Sequence, residues 1–289
     1  MMQSYDRPET IDSALAILAR QPCTIIAGGT DVYPALATAQ AWGKPGFAHI
    51  LDISALPDLD RIAESDEAFR IGCRVTWTQV LEADLPNWFA ALRLAAREVG
   101  GIQIQNRGTV VGNVCNASPA ADGMPPLLAL DAQVELTSQA GRRLVPLATF
   151  VTGNRRTGRA PAELATALVV PKRAHPARSH FLKLGARDYL VISIVMVAGL
   201  IETDAAGRIA AARLAVGSCS EVAHRLPALE AALTGRAAGE RLADAVSEAH
   251  LAALSPIDDV RGSADYRRRA ALILVRRLLA SLGEGPETP

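Results

Sequence analysis

The sequence predicts an α+β protein of three consecutive units, and three observations carry that prediction. A strand, a glycine loop, a helix and another strand follow one another in the first stretch, an order that implies a small, partly parallel sheet. Paired strands and helices mix through the middle. Long apolar strands followed only by helices close the chain. At 289 residues there is enough length for two or three domains, each with its own core. The expected units are residues 1–55, 56–175 and 176–289.

Thr10 is placed to cap a helix with Ile11, Ala14, Leu15 and Leu18 on one face, ending before Pro22. Thr24-Ile25-Ile26 reads as a buried strand that breaks at Ala27-Gly28-Gly29-Thr30-Asp31. Val32–Gln40 reads as helix, with Pro34 tolerated in its first turn, and His49–Ile53 as the next strand. A turn-rich segment at Pro57 and Asp58 leads into the second unit. There Phe69–Cys73 is strand-like, Thr76 caps a short helix through Leu81, and Pro86–Val99 is helical. Ala132–Thr137 and Arg143–Pro146 read as paired strands, and the segment from Pro161 ends as a strand before Pro171. Phe181–Leu184, Val191–Ile201 and Ile209–Val216 are expected to form an antiparallel sheet, with a turn at Asp204–Gly207. Leu226–Leu233, Arg241–Leu254 and Asp265–Leu282 are expected helices, the last with Ser263 as its cap.

Composition excludes several classes of function. Net charge is zero, with 30 basic and 30 acidic residues, so nothing marks a nucleic-acid or anionic-membrane partner. The four cysteines are far apart and form no C-x-x-C pair, which argues against a zinc site, an iron–sulfur cluster or a disulfide framework in this chain. The five histidines show no metal-ligand spacing. Met1–Thr10 is polar and acidic, unlike a secretory leader. The longest apolar run, Leu190–Ile201, is interrupted by Ser193 and Gly199 and is too short to span a bilayer. A soluble, reducing, cytoplasmic setting is the expectation.

Two stretches carry chemistry. Thr109–Asp122 is dense in small residues, hydroxyls and amides and reads as a loop around a polar ligand, with Gly112 allowing close backbone approach. Thr109, Asn113, Asn116 and Ser118 offer short donors, and Asp122 an acceptor. The bland alternative has Asn and Ser closing turns on their own backbone, Asp122 capping a helix before Pro125, and Cys115 merely packing. The Ala27–Asp31 loop is either a plain tight turn or a place where bare amides at a helix start meet a pyrophosphate. It lacks the G-x-G-x-x-G spacing of a Rossmann nicotinamide site. Asp31 sits awkwardly there, because a carboxylate repels phosphate unless it points away or caps the helix.

Together, Ala27-Gly-Gly-Thr-Asp31 and Thr109-Val-Val-Gly-Asn113…Ala117-Ser-Pro-Ala-Ala-Asp122 resemble the two FAD loops of the medium, flavin-binding subunit of molybdenum hydroxylases, the xanthine dehydrogenase and carbon monoxide dehydrogenase family. Lys183…Arg187, Asp259–Arg261 and Ser263…Tyr266-Arg267 extend the resemblance over almost the whole chain. It implies a two-subdomain FAD-binding fold of the vanillyl-alcohol-oxidase type, followed by the family's C-terminal α+β domain. By the same resemblance, Ile25, Ile26, Ala27, Gly28, Gly29, Thr30, Asp31 and Val32 would line the pyrophosphate and adenosine side. Thr109, Val110, Val111, Gly112 and Asn113 would close over the diphosphate and ribityl chain. Asp122 would hold a polar edge of the cofactor, and Lys183 would bring a cation near the isoalloxazine.

The chain departs from the family pattern at four positions. Val99 stands where some relatives carry phenylalanine near the flavin, and Ala165 where they carry leucine. Val111 replaces the first glycine of the usual Gly-Gly-Asn, and Val191 an aspartate. The activity implied is an electron relay. A molybdopterin-binding large subunit hydroxylates a substrate (a purine such as xanthine, an aldehyde or an N-heterocycle), [2Fe–2S] clusters of a small subunit carry the electrons, and FAD here passes them to NAD or another acceptor. No residue of this chain is assigned to catalysis or to a metal. Two alternatives are a stand-alone FAD-dependent oxidoreductase acting directly on a small molecule, which needs a base near the flavin, and a nucleotide-binding module without turnover.

Overall fold

The computed structural model describes residues 4–239 and 241–283. In the N-terminal unit β1 (Ser4–Asp6), α1 (Ile11–Arg20), β2 (Thr24–Ile26), α2 (Val32–Ala41) and β3 (His49–Asp52) form a three-stranded parallel sheet in the order β1-β3-β2. Thr10 caps α1, its hydroxyl accepting from the Ser13 amide at 3.2 Å. Such a cap is worth about 1 kcal/mol. Ala14, Leu15, Ile17 and Leu18 bury one face of α1. The expected helix Val32–Gln40 is α2, and none of its residues is buried.

The middle unit contains β4 (Ile62–Glu64), β5 (Ala68–Gly72), α3 (Trp77–Glu82), α4 (Ala90–Glu98), α5 (Ile102–Gln105), α6 (Val110–Asn116), α7 (Met124–Ala129), β6 (Gln133–Ser138), β7 (Gly141–Pro146), α8 (Leu147–Phe150), β8 (Val151–Gly153), β9 (Arg156–Thr157) and β10 (Leu164–Pro171). Its five-stranded sheet runs β4-β5-β10-β6-β7 and is antiparallel throughout. Thr76 and Gln79 close a capping box on α3. The expected helix Pro86–Val99 begins instead as a 3-10 turn, Asn87–Phe89, before α4 takes over. One apolar core joins the first two units: Leu15, Leu18 and Leu51 pack in the same cluster as Phe69, Trp77, Leu127 and Leu168.

In the C-terminal unit β11 (Ala177–Leu184), β12 (Val195–Thr203), β13 (Ile209–Gly217) and β14 (His224–Arg225) form an antiparallel sheet in that order, followed by α9 (Pro227–Leu233) and α10 (Ala264–Gly283). Leu274, Val275, Leu278 and Leu279 of α10 pack against Val195, Val197 and Ile201 in a second core. Ser263 caps α10 by accepting from the Tyr266 amide at 3.1 Å. The strand expected over Val191–Ile201 starts four residues late, because the Arg187 guanidinium takes the Leu190 carbonyl and Leu190 sits at φ 54°. The helix expected over Arg241–Leu254 is two short 3-10 turns, Leu242–Ala245 and Glu248–Leu251. Ser247, between them, takes the His250 ring nitrogen on its own amide at 3.1 Å and so starts a new turn rather than continuing the old one.

Alternating charges fasten the middle unit to this sheet. Asp131 accepts from Arg213 and, at 2.8 Å, from Arg225; Arg213 also reaches Glu202 at 2.6 Å. The Arg173 guanidinium, side chain 3% exposed, stands 3.6 Å from Asp131 and 5.3 Å from the centre of the Trp88 ring.

Candidate cofactor site between the two glycine loops

The two remote loops meet. A Cβ built on Gly28 would lie 1.9 Å from the Arg107 carbonyl oxygen, so backbone rests on backbone at a distance only glycine permits. The backbone of the second loop is in turn fixed to α3, since the Trp77 amide donates to the Gly108 carbonyl at 3.1 Å and the Val110 amide to the Val75 carbonyl at 3.0 Å. Gly29, at φ 75°, turns the chain into α2. Between the loops opens a cavity of about 510 Å³.

Thirteen of the seventeen residues singled out by sequence lie on its wall: Ile25, Ala27, Gly28, Gly29, Thr30, Asp31, Val32, Val99, Thr109, Val111, Gly112, Asn113 and Ala165. Ile26 and Val110 point into the core, 3% and 0% exposed. Asp122 and Lys183 lie off this wall and pair with each other, Nζ to Oδ2 at 2.9 Å. Asp122 also accepts from the Ser193 hydroxyl at 2.5 Å, and Lys183 donates to the Glu98 carbonyl at 3.2 Å. Burial pushes the Asp122 carboxyl above the usual range, while Lys183 and Ser193 pull it back. Since Glu98 precedes Val99, the buried pair holds the end of α4 that presents Val99 to the cavity.

Two local expectations change. Half of Thr109–Asp122 is helical: Thr109 caps α6 by accepting from the Gly112 amide at 3.1 Å, Val110, Val111 and Val114 are buried, and Ala117 ends the helix in the left-handed region at φ 49°. The small polar residues hid a short apolar face. Nor does Asp122 cap a helix, because α7 starts at Met124 after Gly123 with no side-chain cap, and the Asp122 oxygens are taken by Lys183 and Ser193.

Asp31 makes no cap on α2 either. It accepts from the Asn116 side-chain amide at 2.8 Å and faces Arg155 at 3.8 Å, so a donor and a cation stand beside its charge on the cavity wall. Arg155 and Arg159 line the cavity as well, and sequence reasoning passed over them; the signal was the run Asn154-Arg155-Arg156-Thr157-Gly158-Arg159 in a turn. Cys23, Cys73 and Cys115 also face the cavity, with burial pushing Cys73 up to about 12 and Cys115 up to about 11. Burial raises Cys23 as well, so at neutral pH none of the three is poised as a thiolate nucleophile.

The wall suits an anionic, partly aromatic ligand. The start of α2 offers the positive end of a helix dipole, although its Tyr33 and Ala35 amides are taken by the Gly29 and Asp31 carbonyls and Pro34 has none. Val99, Ile104, Leu164 and Ala165 supply an apolar part. The Asn113 Oδ1 atom is buried without a hydrogen-bond partner, an acceptor that a ligand donor would satisfy. Among the described residues, no group of three or more histidines, cysteines or carboxylates is placed to hold a metal, and no helix is long and apolar enough to cross a membrane.

Fold and site thus define a dinucleotide-cofactor protein of mixed α and β structure. Residues 1–173 match the family described as the FAD binding domain in molybdopterin dehydrogenase, and residues 180–282 the CO dehydrogenase flavoprotein C-terminal domain. The chain belongs to the FAD-binding, medium-subunit family of the molybdenum hydroxylases, oxidoreductases whose flavin this subunit carries. Among its relatives, the nicotine 6-hydroxylase medium subunit of Paenarthrobacter nicotinovorans is 30% identical over 96% of both chains. The xanthine dehydrogenase FAD-binding subunit of Escherichia coli O157:H7 is 30% identical, covering 96% of this chain and 94% of its own. Among solved structures, carbon monoxide dehydrogenase from Hydrogenophaga pseudoflava superposes with a TM-score of 0.87 at 26% identity, over 98% of this chain and 97% of that one. Quinoline 2-oxidoreductase from Pseudomonas putida 86 gives 0.85 at 26% identity, over 99% and 98%.

Proposed function

We propose that this chain is the electron-relay subunit of a cytoplasmic molybdenum hydroxylase, taking electrons from [2Fe–2S] clusters of a small subunit and passing them to NAD or another acceptor, while a molybdopterin-binding large subunit performs the hydroxylation. The observation that carries the reading is the backbone contact of Gly28 with Arg107, which brings both glycine loops to one cavity. FAD bound there supplies a centre able to accept electrons singly and release them as a pair.

The chain's own residues bind and orient. Gly28, Gly29 and Thr30, with the start of α2, cradle the diphosphate, and Gly112 lets the other loop close on it from the opposite side. Asn116 and Arg155 hold the Asp31 carboxylate, and Asn113 Oδ1 accepts from the cofactor. Val99 and Ala165 flank the ring system with small apolar side chains. Lys183 acts on the ring through the backbone it holds at Glu98. No nucleophile with a general base stands on this wall among the described residues, which favours a relay over direct attack on a substrate.

The test is reconstitution. The purified chain is expected to take up one FAD and, within its complex, to have that flavin reduced by substrate added at the molybdenum centre and reoxidised by the acceptor. A well-folded chain that stays colourless with excess FAD sinks the cofactor site. A flavin reduced directly by the small substrate in the isolated chain sinks the relay.

A further inference from the structure

The cavity wall holds a hydrogen-bond donor that the protein leaves unused. Trp77, the first residue of α3, is only 1% exposed, yet it stands on that wall. Among the described residues its indole Nε1–H donates to nothing, and the nitrogen is not sealed in the core, so its outlet is the cavity. A buried tryptophan N–H ordinarily finds an acceptor. The place of this one is defined by two glycines. A Cβ built on Gly108 would lie 3.5 Å from Trp77 Cδ1, and one built on Gly123 would lie 3.2 Å from Cζ2 and 3.1 Å from Asn113 Oδ1. The nitrogen-bearing edge of the indole therefore runs from Gly108 to Gly123, with the orphaned Asn113 acceptor beside its far end. Gly108 is where the glycine loops touch, since a Cβ on Gly28 would be 3.1 Å from its Cα. Gly123 follows Asp122, whose partner Lys183 holds the end of α4 at Glu98. The donor thus lies between the part of the cavity given to the diphosphate and the part given to the ring.

We propose that Trp77 binds the cofactor: its indole N–H donates to a ribityl hydroxyl, and that hydroxyl donates onward to Asn113 Oδ1. The inference rests on the FAD reading of the cavity and not on the relay. In FAD the segment joining diphosphate to ring is the ribityl chain, a run of alcohol groups. A hydroxyl accepts and donates at once, which is what a spare donor beside a spare acceptor requires. A phosphate oxygen or a ring carbonyl only accepts and would leave Asn113 unpaired. The Asn113 side chain lines the cavity, and its amide plane turns easily about the last torsion to present the oxygen. Trp77 is fixed beforehand, by the capping box of Thr76 and Gln79 and by its own amide on the Gly108 carbonyl at 3.1 Å, so the contact costs little ordering.

Proton–nitrogen spectra of the whole chain test this, with FAD, ADP and FAD analogues that each lack one ribityl hydroxyl as probes. Trp42, Trp77 and Trp88 give three indole signals, which Trp42→Phe and Trp88→Phe assign even where Trp77→Phe does not fold. The expected result is that FAD moves the Trp77 signal downfield, that saturating ADP leaves it in place, and that one analogue fails to move it. That analogue should bind the wild-type chain about tenfold more weakly than FAD, a difference that shrinks below threefold in Trp77→Phe. A Trp77 signal unmoved in a chain that holds FAD overturns the proposal. So does one moved equally by ADP, one moved equally by every analogue, or an analogue penalty that persists in Trp77→Phe. Uptake of FAD, read from flavin absorbance in the wild-type chain, judges the cofactor site separately.

Discussion

Replacing Gly28 by alanine probes the joint on which the cavity depends. Its added Cβ would sit 1.9 Å from the Arg107 carbonyl oxygen and 2.7 Å from the carbonyl carbon, against about 3.4 Å for an ordinary contact. Neither atom belongs to a side chain that can swing away, so the loops must part by roughly 1.5 Å. Gly28 is not in the left-handed region, so the cost is steric and not conformational. Overpacking of this kind costs about 1–3 kcal/mol. If the same strain falls on cofactor binding, FAD affinity drops roughly fivefold to a hundredfold, at tenfold per 1.4 kcal/mol. Titration of the apo-chain with FAD, followed by quenching of flavin fluorescence, measures it, alongside Tm by calorimetry. Gly158→Ala is the control, since its nearest neighbour would be an ordinary 3.7 Å away. An unchanged Tm together with FAD affinity within twofold of wild type for Gly28→Ala would refute the claim that the loops are locked together there.

Three further outcomes follow from the same physics. Lys183→Met leaves the buried Asp122 without its cation and should cost about 3–5 kcal/mol, whereas adding Asp122→Asn should restore much of it, measured as a double-mutant cycle by urea unfolding. Asp259 is held down at about 2 by the Arg261 amide and by Arg267, below its ordinary 3.8; its stabilisation is therefore present above about pH 4 and lost as pH falls towards 2. The Tm deficit of Asp259→Asn should close over that interval, and a deficit constant from pH 7 to pH 2 would contradict the assignment. Cys73 and Cys115, pushed up to about 12 and about 11, should resist iodoacetamide at pH 8 in the folded chain and react fully after denaturation; rapid labelling of either in the folded chain would show that burial does not control them.

Much of this protein is written locally. Thr10, Thr76 and Ser263 announce helix starts because a short hydroxyl satisfies an amide of its own first turn, and that contact spans three residues. The strands β6, β10, β12 and β13 show as apolar runs because a sheet buried on one or both faces admits little else. The glycine loops were legible as a pair through their resemblance to a family, and thirteen of the residues so marked stand on one wall. Elsewhere local pattern misled: α6 is apolar on a face only seven residues long, and Ser247 divided what looked like one helix.

What the sequence by itself determined was which segments carry backbone bare enough to approach a ligand. The tertiary structure alone decided which partners the charged side chains took. Asp31 was drawn to Asn116 and Arg155, 85 and 124 positions away in the chain, and Asp122 to Lys183 and Ser193. A buried or crowded carboxylate takes the nearest cation or donor that folding brings to it, and that neighbour is fixed by the packing of separate units, which no spacing along the chain encodes.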